Sequence, residues 1–198
     1  MASGPRDDAG PGDAGWVVAQ GVEAVNEVLA AIRSRRVVRS MSGEPVSREA
    51  LETILDAGRW APSAGNRHLQ RFVATDDPGT LRVLRMVSPG MIARPTAAIV
   101  ICTDRALAAD FGFRPDVPGP WIDVGTAAAT LMLAAHAIGV GAGPVTSFSK
   151  AAVGAALRLP DGLEPDMIVC LGYPAPGGPA PLRRGRRVTW QDLTTFVP

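Results

Sequence analysis

Trp60-Ala61-Pro62-Ser63-Ala64-Gly65-Asn66, followed after four residues by Arg71-Phe72-Val73-Ala74-Thr75, is the stretch on which the fold reading turns. Pro62 disfavours helical geometry at Ala61, so a helix running from about Arg48 to Trp60 must stop here. Ser63 to Asn66 is turn chemistry, and the apolar run after it reads as a short strand. Upstream, Glu44-Pro45-Val46-Ser47 closes on an N-cap at Ser47, after which Leu51, Ile54, Leu55 and Gly58 form one helical face. Earlier still, from near Val22, the residues Val25, Val28, Leu29 and Ile32 recur at helical spacing. They lead up to Arg33-Ser34-Arg35-Arg36, a basic run suited to a helix C-terminus. Downstream, Asp76-Asp77-Pro78-Gly79 turns into a helix from about Thr80 to Val87, and Pro95 precedes a strand from Ala97 to Thr103. An Ala-rich helix runs from Trp121 to Ile138, Val140 to Val145 is a strand or extended turn, Lys150 to Leu157 a short helix, and Asp166 to Tyr173 the last strand. Ala106 to Pro120 has no clean period and is expected to be an irregular excursion of the functional or mobile kind. Helices and strands mix without regular alternation, which predicts an α+β layer arrangement. Residues 1–21 are expected to be a disordered tail and 22–198 one domain, closed by Val188 to Pro198 with Trp190, Leu193 and Phe196 as anchors.

Composition narrows the function classes. The 198 residues carry 20 Lys+Arg against 19 Asp+Glu, a net charge of +1 that offers no general field for nucleic acid or anionic membrane. Any anion site must therefore be local. Only Lys150 is a lysine, and the other 19 basic residues are arginines, whose planar fork grips phosphate or carboxylate at two points. Cys102 and Cys170, 68 positions apart inside apolar runs, read as buried thiols of a reducing compartment rather than a disulfide or zinc pair. The stretch between Asp123 and Lys150 holds 26 residues without a carboxylate, Lys or Arg. Its many Ala, its Thr126, Thr130 and His136, and its break at Gly139 make it a helix buried in a core, not a membrane span. With no secretory signal at the N-terminus, the cytoplasm is the default.

Three arginine groups stand out: Arg33, Arg35, Arg36 and Arg39; Arg67 and Arg71; and Arg183 to Arg187. Each can be a solvated surface cluster. Bringing the first and third together is opposed by repulsion unless an anion such as a phosphate lies between them. Gly139-Val140-Gly141-Ala142-Gly143-Pro144 ends a helix and leads into an extended segment, the reverse of a dinucleotide-binding glycine loop, so its content is close backbone approach to a neighbouring helix or to a flat ligand. No nucleophile elbow, Walker loop or metal-ligand spacing is present. His68 follows a turn and can face a site, whereas His136 reads as a core histidine of the buried helix. So few candidate acids, bases and nucleophiles point to chemistry carried by a cofactor.

Together these pieces resemble the FMN-dependent nitroreductase family. Ile32-Arg33-Ser34-Arg35-Arg36-Val37-Val38-Arg39 is similar to its opening Arg-Arg-Ser-x-Arg phosphate-binding run, and Ala61-Pro62-Ser63-Ala64-Gly65-Asn66 with Arg71-Phe72-Val73 to its Ala-Pro-Ser-x-x-Asn segment. Asp123 to Ser147 is similar to its central helix and flavin-facing loop, and Ile168 to Pro174 to its closing Leu-Gly-Tyr-Pro strand. The resemblance implies a three-layer fold, a central mixed or antiparallel sheet flanked by helices, and a domain-swapped-type homodimer with two FMN molecules at the interface. It implies that Arg35, Arg36, Val37 and Arg39 meet the phosphate and ribityl chain, with Arg184, Arg186 and Arg187 joining them. Pro62, Ser63, Ala64 and Asn66 would line the flavin from the partner subunit, and Pro144, Val145 and Thr146 would cover its other side, a backbone N–H donating to N5. NADH or NADPH would reduce the flavin, and a nitroaromatic, quinone or similar small acceptor would reoxidise it in a ping-pong cycle with no obligatory side-chain acid or base.

Two departures are visible. Val37 stands where relatives usually have serine, removing a hydroxyl worth about 1 kcal/mol. Arg67-His68-Leu69-Gln70 replaces the usual x-Gln-Pro-Trp. A flavin-dependent oxidase or dehydrogenase of a natural-product pathway, and a non-catalytic flavin-binding dimer, remain as alternatives. A nucleic-acid binder is disfavoured by the neutral net charge and by one Tyr and five Phe for stacking.

Overall fold

The computed structural model describes residues 26–114, 117–177 and 188–197; the expected tail over 1–21 and the run Arg183 to Arg187 lie outside them. Six helices, α1 (Glu27–Ser34), α2 (Arg48–Gly58), α3 (Pro78–Met86), α4 (Arg105–Asp110), α5 (Gly119–Ala137) and α6 (Lys150–Leu157), and four strands, β1 (Gln70–Thr75), β2 (Ala97–Asp104), β3 (Gly141–Val145) and β4 (Leu163–Gly172), make up the described α+β fold. Most helices begin on a polar side chain that accepts an otherwise orphaned backbone N–H: Asn26 for α1, Ser47 for α2, Asp77 for α3, Asp104 for α4 and Ser149 for α6.

The sheet is antiparallel, in the order β1-β2-β4-β3. Because strand side chains alternate between faces, its two central strands feed two cores. Ile99, Ile101, Val169 and Leu171 pack beneath α2 and α5, while Val100, Cys102, Ile168 and Cys170 pack on the opposite face with Leu81, Leu84 and Val153 of α3 and α6. Three layers result. Small residues set their spacing: a Cβ at Gly58 of α2 would stand 2.6 Å from Leu131 Cδ2 of α5. Among the described residues no helix is long and apolar enough to cross a membrane.

Three expectations need correction, and a fourth holds with a qualification. The excursion from Ala106 to Pro120 is partly helical, because Asp104 caps Arg105-Ala106-Leu107-Ala108-Ala109-Asp110 into α4 and α5 starts at Gly119, ahead of Trp121. A six-residue helix is too short to show a period in sequence. Trp190, Leu193 and Phe196 do not anchor the end of this chain: they are 61–80% exposed, with Trp190 and Phe196 meeting only edge to face at 6.3 Å. The helical spacing of Val28, Leu29 and Ile32 does produce α1, but that helix buries no residue in this chain. His136 is half-buried, bonded to Ser34 Oγ at 2.8 Å, rather than sealed in the core.

Candidate functional site

The segment after α1 runs along the open edge of β3. Val37 forms a parallel bridge with Ala142, and Val38 N–H donates to Ala142 O at 2.9 Å. Met41 then bridges Pro174, and Ser42 N–H donates to Tyr173 O. Glycine makes this approach possible. A Cβ at Gly141 would lie 2.9 Å from Val38 Cβ and from Gly172 O, and one at Gly143 2.9 Å from Val38 O, contacts shorter than real Cβ atoms make.

That parallel pairing distributes the arginines along β3. Arg35 and Arg36, with Ser34, His136, Gly139, Gly141, Ala142 and Pro174, line a cavity of about 280 Å³ at one end. Arg39 lies at the other, beside Gly143, Pro144 and Val145, and Thr146 follows at the exposed end of the strand. Gly141 to Val145 spans about 14 Å at ~3.4 Å per residue. Among the described residues no carboxylate pairs with Arg35, Arg36 or Arg39. Arg36 bends back instead, its Nη1 donating to the carbonyls of Arg33 (2.6 Å) and Arg35 (2.9 Å). It thereby neutralises carbonyls at the C-terminal end of α1, which would otherwise repel an anion.

The segment Pro62 to Asn66 is held at the opposite end of α5. Asp123 Oδ1 accepts from Ala64 N–H (2.9 Å) and Thr126 Oγ1 donates to Pro62 O (2.8 Å). Ser63 Oγ accepts from His68 N–H at 3.1 Å. The loop is tightly wound: Gly65, Asn66 and His68 have φ of +58°, +54° and +48°, a left-handed conformation uncommon outside glycine but one that asparagine and histidine enter more readily than most residues. Asn66 is exposed and its side chain makes no hydrogen bond among the described residues. From Asp123 to His136, thirteen residues of helix, the axial separation is about 20 Å at ~1.5 Å per residue.

The structure therefore brings Arg35, Arg36, Val37 and Arg39 together with Pro144, Val145 and Thr146, and sets Pro62, Ser63, Ala64 and Asn66 apart from them within one chain. Arg184, Arg186 and Arg187 lie outside the described residues. Ser34, His136 and Asp123 were not singled out as site residues from sequence. Only the position of Ser34 beside the basic run and of His136 in the last turn of α5 hints at the first two. The donor set suits a phosphorylated flavin: guanidinium groups with no carboxylate partner among the described residues stand at both ends of a glycine-bearing strand, and the larger cavity lies at the Arg35–Arg36 end.

The chain matches the nitroreductase family model over residues 32–102 and 88–173, and it belongs to the nitroreductase family. Among its relatives is a protein of Methanothermobacter thermautotrophicus with the provisional name NADH dehydrogenase/NAD(P)H nitroreductase, 30% identical over 156 residues, covering 75% of this chain and 78% of that one. A solved nitroreductase family protein from Clostridium difficile 630 superposes with a TM-score of 0.72 at 26% identity, over 86% of this chain and 98% of that chain. A structure described as an FMN-dependent nitroreductase from C. difficile R20291 shares the fold, with a TM-score of 0.68 at 21% identity over 84% and 96% of the two chains.

Proposed function

We propose that this protein is an FMN-dependent oxidoreductase that takes hydride from NADH or NADPH and passes reducing equivalents to a nitroaromatic, quinone or similar electron-poor small molecule by a ping-pong cycle. The observation that carries the reading is the course of Arg35 to Arg39 along β3. It puts guanidinium groups that have no carboxylate partner among the described residues at both ends of one strand, against a cavity at one end and Pro144-Val145 at the other.

When bound, FMN supplies the hydride and electron chemistry. The chain's own residues bind and orient. Arg35 holds the phosphate, with Arg184, Arg186 and Arg187 as further donors, while Arg36 quiets the carbonyls of α1 and leaves the cavity hospitable to an anion. Val37 contributes backbone at this point rather than the hydroxyl of the usual serine. Arg39, beside Gly143, Pro144 and Val145, would meet the ribityl chain and add positive charge to the site. Pro144, Val145 and Thr146 form a backbone wall with an N–H available to N5.

A homodimer completes the site. The outward faces of α1 and α5 expose Val28, Leu29, Ile32, Trp121, Ile122 and Ile138 at 41–62%, an apolar surface that a second copy would cover. Antiparallel packing of two α5 helices would bring Pro62, Ser63, Ala64 and Asn66 of one protomer to the arginines of the other, closing the ~20 Å gap. The exposed Trp190, Leu193 and Phe196 suit docking on the partner, the domain-swapped arrangement. We place the protein in the cytoplasm, where its two unpaired thiols stay reduced.

The test is a visible spectrum of the purified protein with added FMN, followed by anaerobic NADH or NADPH, alongside sedimentation. A dimer whose flavin band bleaches supports the reading and identifies the donor. A bound band that neither nucleotide bleaches would redirect it to an oxidase or flavin-storage role. No binding at all would overturn it.

A further inference from the structure

The Ser34–His136 pair stands in the wall of the arginine cavity and has no part in the reading above. Its geometry is specific. Ser34 is the last residue of α1 and His136 lies in the last turn of α5, so the 2.8 Å bond between Ser34 Oγ and His136 Nε2 joins two helix ends. Both residues line the same cavity as Arg35 and Arg36. Among the described residues the serine hydroxyl's other hydrogen bond is a donation to Ala31 O at 3.4 Å, at the outer edge of hydrogen bonding.

We propose that Ser34 is an additional phosphate-binding residue and His136 its positioning residue, an inference that rests on the FMN reading. With its proton on Nε2, His136 donates to Ser34 Oγ and fills one of that oxygen's acceptor positions. The hydroxyl proton is then released from the long Ala31 contact and turns toward a phosphate oxygen. The pair thus supplies, from the residue before Arg35, the hydroxyl that is missing at Val37 two residues after it. The cavity has reason to need it, since the Nη1 of Arg36 is taken up by two backbone carbonyls. Other charges around the pair are cationic: Arg33 in the last turn of α1, and Arg35 and Arg36 beyond it. A dianion is the ligand chemistry that satisfies all of them.

The experiment compares dissociation constants for FMN and riboflavin, which differ by the phosphate alone, from quenching of flavin fluorescence by the full-length protein. Ser34→Ala and His136→Ala should each weaken FMN about tenfold, the cost of a hydrogen bond to a charged group, and leave riboflavin unchanged. His136→Gln, whose amide can still donate to Ser34, should recover most of the loss, and the double Ala variant should be no worse than Ser34→Ala alone. Melting of the flavin-free variants provides the second readout. An unchanged FMN-to-riboflavin ratio in Ser34→Ala, equal loss of both flavins, or additive losses in the double variant would overturn the proposal while leaving the FMN reading intact. A wild-type protein that binds neither flavin would overturn both.

Discussion

Replacing Gly141 by alanine tests whether the seating of the arginine segment on β3 is what builds the site. The added Cβ would stand 2.9 Å from Val38 Cβ, 2.9 Å from Val38 Cγ1 and 2.9 Å from Gly172 O, against the roughly 3.5–4.0 Å at which carbon atoms rest. Gly172 O belongs to the β3–β4 ladder, where Gly141 pairs with Gly172. The softer partner is the segment carrying Val38, held there by its N–H donation to Ala142 O. Overpacking of this kind costs about 1–3 kcal/mol, and a loosened hydrogen bond falls within the same range. At about 2 kcal/mol the melting temperature of a chain this size drops by roughly 4–8 °C. Because the displaced residues flank Arg35, Arg36 and Arg39, FMN affinity should fall in the same variant. Gly154→Ala is the control: no atom lies within 4 Å of its added Cβ, in the middle of α6, so helix propensity should stabilise the protein by about 0.5–1 kcal/mol. Calorimetry and flavin titration on the two variants give the answer. Wild-type melting and wild-type FMN affinity in Gly141→Ala would refute the account of how the segment is seated.

Asp123→Ala should cost about 1–3 kcal/mol by stranding the Ala64 N–H, whereas Asp123→Asn, which keeps the accepting oxygen, should cost far less in urea denaturation. Cys102 and Cys170 should resist thiol reagents until the protein unfolds. Burial pushes both thiols up to about 12, with the charge of Asp166 adding to the effect at Cys102, so native-state labelling faster than unfolding would contradict this. The cluster of Arg105, Lys150, Glu164 and Asp166 should shape stability at both ends of the pH range. Burial alone would raise the Glu164 pKa, but hydrogen bonds from Arg105 and Lys150 outweigh it and hold the carboxyl below its ordinary value. Its contribution is therefore present above that ordinary value and lost as pH falls through the folded one. For Lys150, burial lowers the pKa, yet bonds to Asp166 and Glu164 raise it overall, so its contribution is lost as pH rises through the folded value. Lys150→Met should flatten both limbs of stability measured from about pH 3 to about pH 11.

Much of the fold was legible in local pattern. Ser47, Asp77 and Pro62 mark helix ends by steric and hydrogen-bonding rules that act within four residues, and the structure places α2 and α3 within about two residues of the expected ends. The strands at Arg71, Ala97 and Asp166 were visible as apolar runs, although β4 starts earlier, at Leu163. Helix α4 escaped notice for want of length. The final apolar side chains, read as anchors, are exposed, because hydrophobicity states that a residue seeks cover and is silent on which surface provides it.

What the sequence by itself determined is the kind and order of the elements, the separation into arginine groups, and the two segments, Arg35 to Arg39 and Pro62 to Asn66, that resemble those of the nitroreductase family. Only the tertiary structure decided that the first lies parallel to β3 while the second sits about 20 Å away along α5, and that Ser34 meets His136 across 102 positions of chain. The physical reason is range. Capping, turns and periodicity are settled by neighbouring residues, whereas the register of a segment on a sheet edge and the meeting of two helix ends depend on how all the layers pack at once.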